Sequence, residues 1–476
     1  MTIAMLAAFA AALTVRQTPA AGAQAAPVLS PAVRQYVSVE APVVALTGVR
    51  VVDGTGAPAV ENRTVIISGG RIQAVGPTGT VQVPEGARVL DLPGHTVIPG
   101  LVGMHDHFYY TSAGREIPQP FSAPRLYLGA GVTAVRTVGS VSPYTDLNLQ
   151  HAIDRGELPG PKMFINGPYL NGGGNSWGRF HLEGPQDARR QVDYWADEGV
   201  RWFKAYTSID RAELGAAIEE AHKRGGKLTG HLCAVTYPEA IALGIDNLEH
   251  GLLVDTEFDP EKKPDECPRG GRSSLANVEI GGPAVQALIK SLVQHNVAIT
   301  STLAVWETMV PNRPPLDQRV FDVMLPQVRE EVLAQRARIA QEVGRSPMEG
   351  LFKKELEFER AFVKAGGLLV AGIDPTGYGA AVPGYGDQRE VELLVEAGFT
   401  PPEAIQIATA NGAKLLGELD HFGTIATGKQ ADLLVIKGDP PRNIQDIRNL
   451  VTVFRNGVGY DSAKLLEAVR GRLGLQ

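Results

Sequence analysis

The sequence predicts an α/β fold, a barrel of parallel strands and crossover helices flanked by two β-rich ends. Three observations carry that expectation. Helix-strand pairs repeat through the middle of the chain. Both ends read as short strands and turns. The central histidines fall at or just past predicted strand ends. A chain of 476 residues has room for a barrel of about 250 residues plus insertions. A doubly wound open sheet is the alternative, but no Gly-x-Gly-x-x-Gly follows an early strand.

The order of elements runs as follows. Residues 38–97 read as all-β: Val43-Val44-Ala45-Leu46 and Val65-Ile66-Ile67 are apolar runs, and Arg71-Ile72-Gln73-Ala74-Val75 alternates. Asp53-Gly54, Gly69-Gly70 and Gly76-Pro77 punctuate them. The strand through Leu101-Val102 leads into Gly103-Met104-His105-Asp106-His107, and 132–136 is a further strand. Helices at 188–198, 211–224, 236–243, 285–295 and 353–364 are each followed by a strand, at 200–204, 227–231, 247–250, 297–300 and 368–372. Segments 171–175, 255–282 and 304–350 read as insertions, the last holding a charged helix over about 327–342 that covers the barrel mouth or packs outside it. After residue 425 the chain turns β again, so the two ends are expected to pair into one small sheet domain. The expected division is 1–25 leader, 26–97 first part of that β-sandwich, 98–425 barrel, and 426–476 second part with a C-terminal helix.

Composition excludes several classes. Charged residues are 20% of the chain, too many for a multi-span membrane protein. Lys+Arg 45 against Asp+Glu 52 leaves a net charge of −7 with no long basic block, which argues against nucleic acid as the main partner. Residues 5–15 are apolar but too short to span a bilayer, and Ala23-Gln24-Ala25 is a signal-peptidase type of site. An exported protein, periplasmic or secreted, is therefore expected, with no stable membrane span after cleavage. An oxidising compartment would permit a Cys233–Cys267 disulfide; two unpaired thiols are the alternative.

His105 and His107 share one face of a strand, so both imidazoles can reach one metal ion. His231, His250 and Asp374 follow other strands, whose C-terminal ends converge in a barrel. Three or more N/O donors there point to a zinc-type catalytic site. Asp374 is suited to move a proton between water and leaving group, or, with Pro375 next to it, to cap a helix. Lys204 ends an apolar strand, where an unpaired ammonium is costly. It snorkels, finds an ion pair, or reacts with carbon dioxide to give a carbamate that bridges two metals.

Taken in order, Pro99-Gly100-Leu101-Val102-Gly103-Met104-His105-Asp106-His107, Phe203-Lys204-Ala205-Tyr206, Thr229-Gly230-His231, Asn247-Leu248-Glu249-His250-Gly251, Ala371-Gly372-Ile373-Asp374, Ala408-Thr409-Ala410-Asn411-Gly412-Ala413 and the 423–433 tail resemble the amidohydrolase superfamily. The likeness spans about 38–460 and is greatest to the branch of imidazolonepropionase and the prolidase-like, zinc-dependent dipeptidases. It implies a distorted (β/α)8 TIM barrel with a composite β-sandwich. It also implies that His105, His107 and Asp374 hold the more buried of two divalent ions, most simply Zn(2+). His231 and His250 would hold the other, with an N6-carboxylysine at Lys204 between them. Mononuclear members of the branch lack that lysine. Asp106 and Phe108 depart from the residues of many relatives. Cys233, two residues after His231, is a core thiol, a disulfide partner or a stray ligand.

The implied reaction is hydrolysis of an amide or peptide bond in a small-molecule or dipeptide-like substrate, a dipeptide or N-acyl amino acid. Cyclic amides, aryl ureas or carbamates, lactones, and a non-catalytic barrel are the alternatives. Asp374 would carry the proton, and His250 would orient substrate or steady the oxyanion. Tyr206 and Tyr237 are candidate substrate contacts, or buried tyrosines with satisfied hydroxyls. A substrate carboxylate calls for an arginine, for which Arg136, Arg179 and Arg313 are candidates. Trp177, Phe180, Trp306 and Tyr385 are candidate pocket walls. A homo-oligomer is compatible with the family, but no residue fixes subunit number.

Overall fold

The computed structural model describes residues 28–112, 114–173 and 181–474. The expected leader, 1–25, and the candidate residues Trp177, Arg179 and Phe180 lie outside the described residues. Eight parallel strand positions form the barrel: Leu101–Asp106, Val132–Thr137, Lys162–Phe164 continuing as Asn166–Leu170, Trp202–Ala205, Lys227–Gly230, Asn247–Glu249, Ala298–Ser301 and Leu369–Ala371. A parallel bridge from Ser140 to Pro168 joins the second position to the third. The ring closes where the amides of Ile373 and Asp374 donate to the carbonyl of His105, at 3.1 and 2.8 Å. That closure joins the first and last strands through two residues the sequence singles out as ligands.

Each strand is buried on both faces, as in Val132–Thr137, so the runs read as apolar rather than alternating. The third strand escaped the pattern because Gly167 and Pro168 interrupt it. The outer helices bury one stripe each. Pro185–Asp197 packs Ala188, Val192, Trp195 and Ala196 inward. Arg211–Lys223 starts at a capping box, where the Glu213 amide donates to Asp210 and the Asp210 amide donates to Glu213. Helix Pro326–Ala340 buries Val328 and Val332 in one cluster with Val320, Val323 and Leu473.

Both ends of the chain build one nine-stranded sheet. Leu433–Lys437 pairs antiparallel with His95–Pro99, which in turn pairs parallel with Val43–Val51. Val37–Val39 pairs with Val458–Asp461. The sheet encloses its own core of Val44, Leu46, Val65, Ile67, Val97, Leu433, Val435 and Phe454. His95–Pro99 passes through Gly100 directly into the first barrel strand, so the sheet anchors the strand that bears His105.

Cys233 and Cys267 form a disulfide, which corrects the reading of unpaired or core thiols. Cys233 lies half-buried in the loop after the fifth strand, within reach of the 255–282 insertion. The Thr256 hydroxyl donates to the Cys233 carbonyl at 2.9 Å, and Arg211 pairs with Asp265 at 2.8 Å, so the insertion is tied to the barrel beside the disulfide. Among the described residues no helix is long and apolar enough to cross a membrane.

The disulfide closes a span of 34 residues. Its loss in a Cys233→Ser, Cys267→Ser variant is expected to lower stability by about 3 kcal/mol through the freed unfolded chain. Urea unfolding of wild type with and without reductant, beside that variant, measures it. Equal midpoints throughout would show that the bond carries no stability.

Candidate metal centre

Five of the singled-out side chains, His105, His107, His231, His250 and Asp374, with Lys204, line one cavity of about 560 Å³. Nε2 of His107 lies 3.4 Å from Oδ1 of Asp374, and Nε2 of His250 and of His105 lie 3.8 and 3.9 Å from Oδ2. His105, His250 and Asp374 each offer a donor atom within 4.8 Å of the others. The His231 ring meets the His250 ring edge-on, 4.5 Å between centroids. Lys204 is 1% exposed on the fourth strand. The strand pleat explains the His105/His107 pair and sends the intervening Asp106 to the opposite face, where it is buried beside Asp387.

The far nitrogens of three imidazoles are held. Nδ1–H of His105 donates to Glu249 Oε2 at 2.8 Å and that of His107 to the Gly139 carbonyl at 3.2 Å, while Nδ1 of His250 shares a hydrogen bond with the Thr302 hydroxyl at 2.9 Å. The two acceptors assign the tautomer of His105 and His107 and leave each of their Nε2 lone pairs aimed into the cavity. Nε2 of His250 is buried and has no hydrogen-bond partner among the described residues. A buried bare nitrogen is costly unless a cation takes its lone pair, so the donor set fits a borderline divalent ion.

The electrostatics agree. Burial pushes His105 down to about 4 against the pull of Glu249, and burial with neighbouring cationic groups pushes His231 and His250 well down. His105, His231 and His250 are therefore neutral at neutral pH, as ligands must be. Burial acts against ionising Asp374, but His105, His107 and Thr376 outweigh it and hold the carboxyl below its ordinary range.

Two of the ligands sit on strained backbone. His250 (φ 70°) and Asp374 (φ 48°) both occupy the left-handed region. Gly251 follows His250 at φ 63°, and a Cβ there would sit 1.5 Å from Glu355 Oε1. Glu355 accepts hydrogen bonds from the amides of Leu252 (2.9 Å) and Leu253 (3.1 Å), fixing the turn behind His250. Beneath the floor, Arg136 donates to Glu249 at 2.7 Å, to Asn247 at 2.8 Å and to the Met104 carbonyl. Thr229 also donates to Glu249.

The structure moves several predicted contacts. Tyr237 lines no part of the cavity: it is fully buried, and its hydroxyl donates to the carbonyls of Gly251 (2.5 Å) and Glu249 (3.2 Å). It braces the His250 turn rather than touching substrate. Arg136 is a buried support under the floor, not a mouth residue. Arg313 and Tyr385 line a neighbouring cavity, where Arg313 is paired with Glu307 and Glu396. Tyr206 and Trp306 do line the metal cavity. The sequence reading missed Arg272, Tyr109 and Tyr169 in the same wall. The hydroxyls of Tyr109 and Tyr169 lie 2.6 Å apart, and Tyr109 stacks on His107. Tyr109 sits two residues past His107, a signal that the pleat offered; Arg272 carries none.

The fold and centre define a metal-binding hydrolase barrel. The chain belongs to the amidohydrolase family, whose model matches residues 96–458, and it is a hydrolase of carbon–nitrogen bonds. No curated protein sequence matches it. Among solved structures it is similar to a candidate prolidase from Bifidobacterium longum, at 24% identity and TM-score 0.66, over 90% of this chain and 98% of that one. A Xaa-Pro dipeptidase with bound methionine in its active site matches at 21% and 0.64, over 88% and 100%. Phenylurea hydrolase B matches at 22% and 0.65, over 88% and 97%.

Glu249→Gln keeps the shape beside His105 and removes the charge. It is expected to weaken metal binding about 10- to 100-fold. Titration with a competing chelator measures that, and far-ultraviolet circular dichroism checks the fold. Unchanged affinity would remove Glu249 from the support of the centre.

Proposed function

We propose that the protein is a binuclear zinc amidohydrolase that cleaves an amide or peptide bond in a dipeptide or N-acyl amino acid. The observation that carries this reading is the convergence of four imidazoles, Asp374 and Lys204 on one cavity. In it, His105, His107 and Asp374 would hold one ion and His231 and His250 the other. The neutral Lys204 amine would add to carbon dioxide and lose a proton, giving a carbamate anion as a further ligand. Two zinc ions, when bound, would supply Lewis acidity for the scissile carbonyl and a lowered pKa for the attacking water.

The protein's part is positioning and proton transfer. Asp374, 14% exposed at the cavity edge, takes the proton of the attacking water and delivers it to the leaving nitrogen. Its carboxyl lies below the ordinary range, so it is ionised at neutral pH and starts the cycle as a base. Tyr206 orients the carbonyl, while His250, held by Thr302 and the braced turn, has both ring nitrogens spent as a ligand. A second reading, an aryl urea or carbamate as substrate, is favoured by the aromatic wall of Tyr109, Tyr169, Tyr206 and Trp306. In either reading the enzyme is exported and acts in the periplasm or outside the cell; the Cys233–Cys267 bond supports an oxidising compartment.

Metal analysis of the purified protein, supplied with zinc and bicarbonate, should give two ions per chain in wild type and a clear fall in Lys204→Ala. Asp374→Asn should keep the fold and lose on the order of 1,000-fold or more in kcat on any amide found in a panel of dipeptides, N-acyl amino acids and aryl ureas. One ion in wild type, unchanged in Lys204→Ala, would sink the binuclear model.

A further inference from the structure

We propose that Arg272 recognises a free carboxylate on the substrate, so that the bond cleaved is the amide of an amino acid whose own carboxylate is unblocked. The hydrolytic step rests on the function proposed above; the recognition stands on separate observations. Arg272 lines the cavity with the metal-ligand histidines and Asp374. Arg272 forms no ion pair with a carboxylate among the described residues. Its hydrogen bond there runs from Nε to the Leu253 carbonyl at 3.1 Å, which leaves both terminal nitrogens of the fork unspent. Burial lowers the basicity of this guanidinium, but not to the point of neutrality at any ordinary pH. A desolvated cation without a counter-charge is costly, and an anion entering the cavity relieves that cost.

The geometry selects the kind of anion. The guanidinium lies over the Trp306 ring, 4.3 Å from Cζ to centroid, and the same ring meets His250 with 5.7 Å between centroids. The Trp306 contact on one side and the Leu253 bond at Nε restrain the guanidinium, and its two terminal nitrogens are the pair that bidentate contact with a carboxylate uses. One tryptophan ring separates that fork from a metal-ligand histidine.

The loop that bears Arg272 is held for the purpose. Cys267, five residues before it, is bonded to Cys233, two residues after His231. Arg272 then sits in the short 3-10 turn Gly271–Asn277, whose Leu275 is buried. The cation and a metal ligand are thus fixed to one cross-linked segment, which reduces the ordering cost of binding. This assigns to Arg272 the role for which Arg136 and Arg313 are wrongly placed.

The test compares the zinc-loaded wild type with Arg272→Met and Arg272→Lys. Phenylalanine and phenylalaninol, product-like probes that are not turned over, are titrated by calorimetry. Wild type should bind phenylalanine about 10- to 100-fold more tightly than phenylalaninol. Arg272→Met should bring the two to parity with phenylalaninol affinity unchanged, and Arg272→Lys should fall between. In turnover, N-acetylphenylalanine should show the loss in KM, with kcat changed by less than about threefold. Equal binding of the probes by wild type, or a preference that survives in Arg272→Met, would overturn the proposal. If Arg272→Met fails to fold, Arg272→Lys decides: a preference as large as wild type overturns the role of the fork. Arg272-dependent binding without hydrolysis of any acyl amino acid supports the recognition and refutes the amidohydrolysis of that class.

Discussion

The centre depends on one buried ion pair. Arg136 and Glu249 are both fully buried, and their contact at 2.7 Å is the charged support below the His105 imidazole. Burial opposes the ionisation of Glu249; Arg136, then His105 and Lys204, outweigh it. Neither charge is tolerable without the other. Around them Thr229, Asn247, Thr300 and the Met104 carbonyl complete the hydrogen bonds. The result is a polar plug that spans five of the eight strand positions, on which the first-strand histidine stands at a fixed angle. A barrel interior filled by aliphatic layers alone would pack as well but would leave the imidazole free to turn.

Much of this was legible in the sequence because it follows from periodicity. Alternation places His105 and His107 together, and strand-end positions gather His231, His250 and Asp374. The helix limits agree within a few residues where the apolar stripe is strong, as in Arg211–Lys223. What was not legible came from contacts between segments distant in sequence. Glu249 sits within a quoted motif, yet its charge partner Arg136 comes from another strand, so neither residue signals the pair. Tyr237 has the right type and neighbourhood for a substrate contact, but the turn after His250 carries two carbonyls that capture its hydroxyl. Arg272 lies in a Gly/Pro-rich insertion with no period at all, and its place is set by a cross-link that spacing alone could not decide.

The left-handed backbone at His250 and Asp374 gives the centre a second character. Neither residue would choose that conformation in an open chain. The barrel closure at the His105 carbonyl holds Asp374, while Glu355 and Tyr237 hold the turn after His250. Support therefore lies behind the ligands rather than among them, and the cavity side stays clear for cations and substrate.

The shared sheet has a consequence for the order in which the protein can be built. Thr96 donates to the Gly438 carbonyl across 342 residues of sequence, and the strand after it begins the barrel. When the first half of the chain leaves the ribosome, His95–Pro99 has an unpaired edge and half of a core. Its partner, Leu433–Lys437, emerges only after the whole barrel. The nascent barrel must wait for that strand before its first strand is anchored, so a stop before it leaves an exposed apolar edge rather than a shorter enzyme.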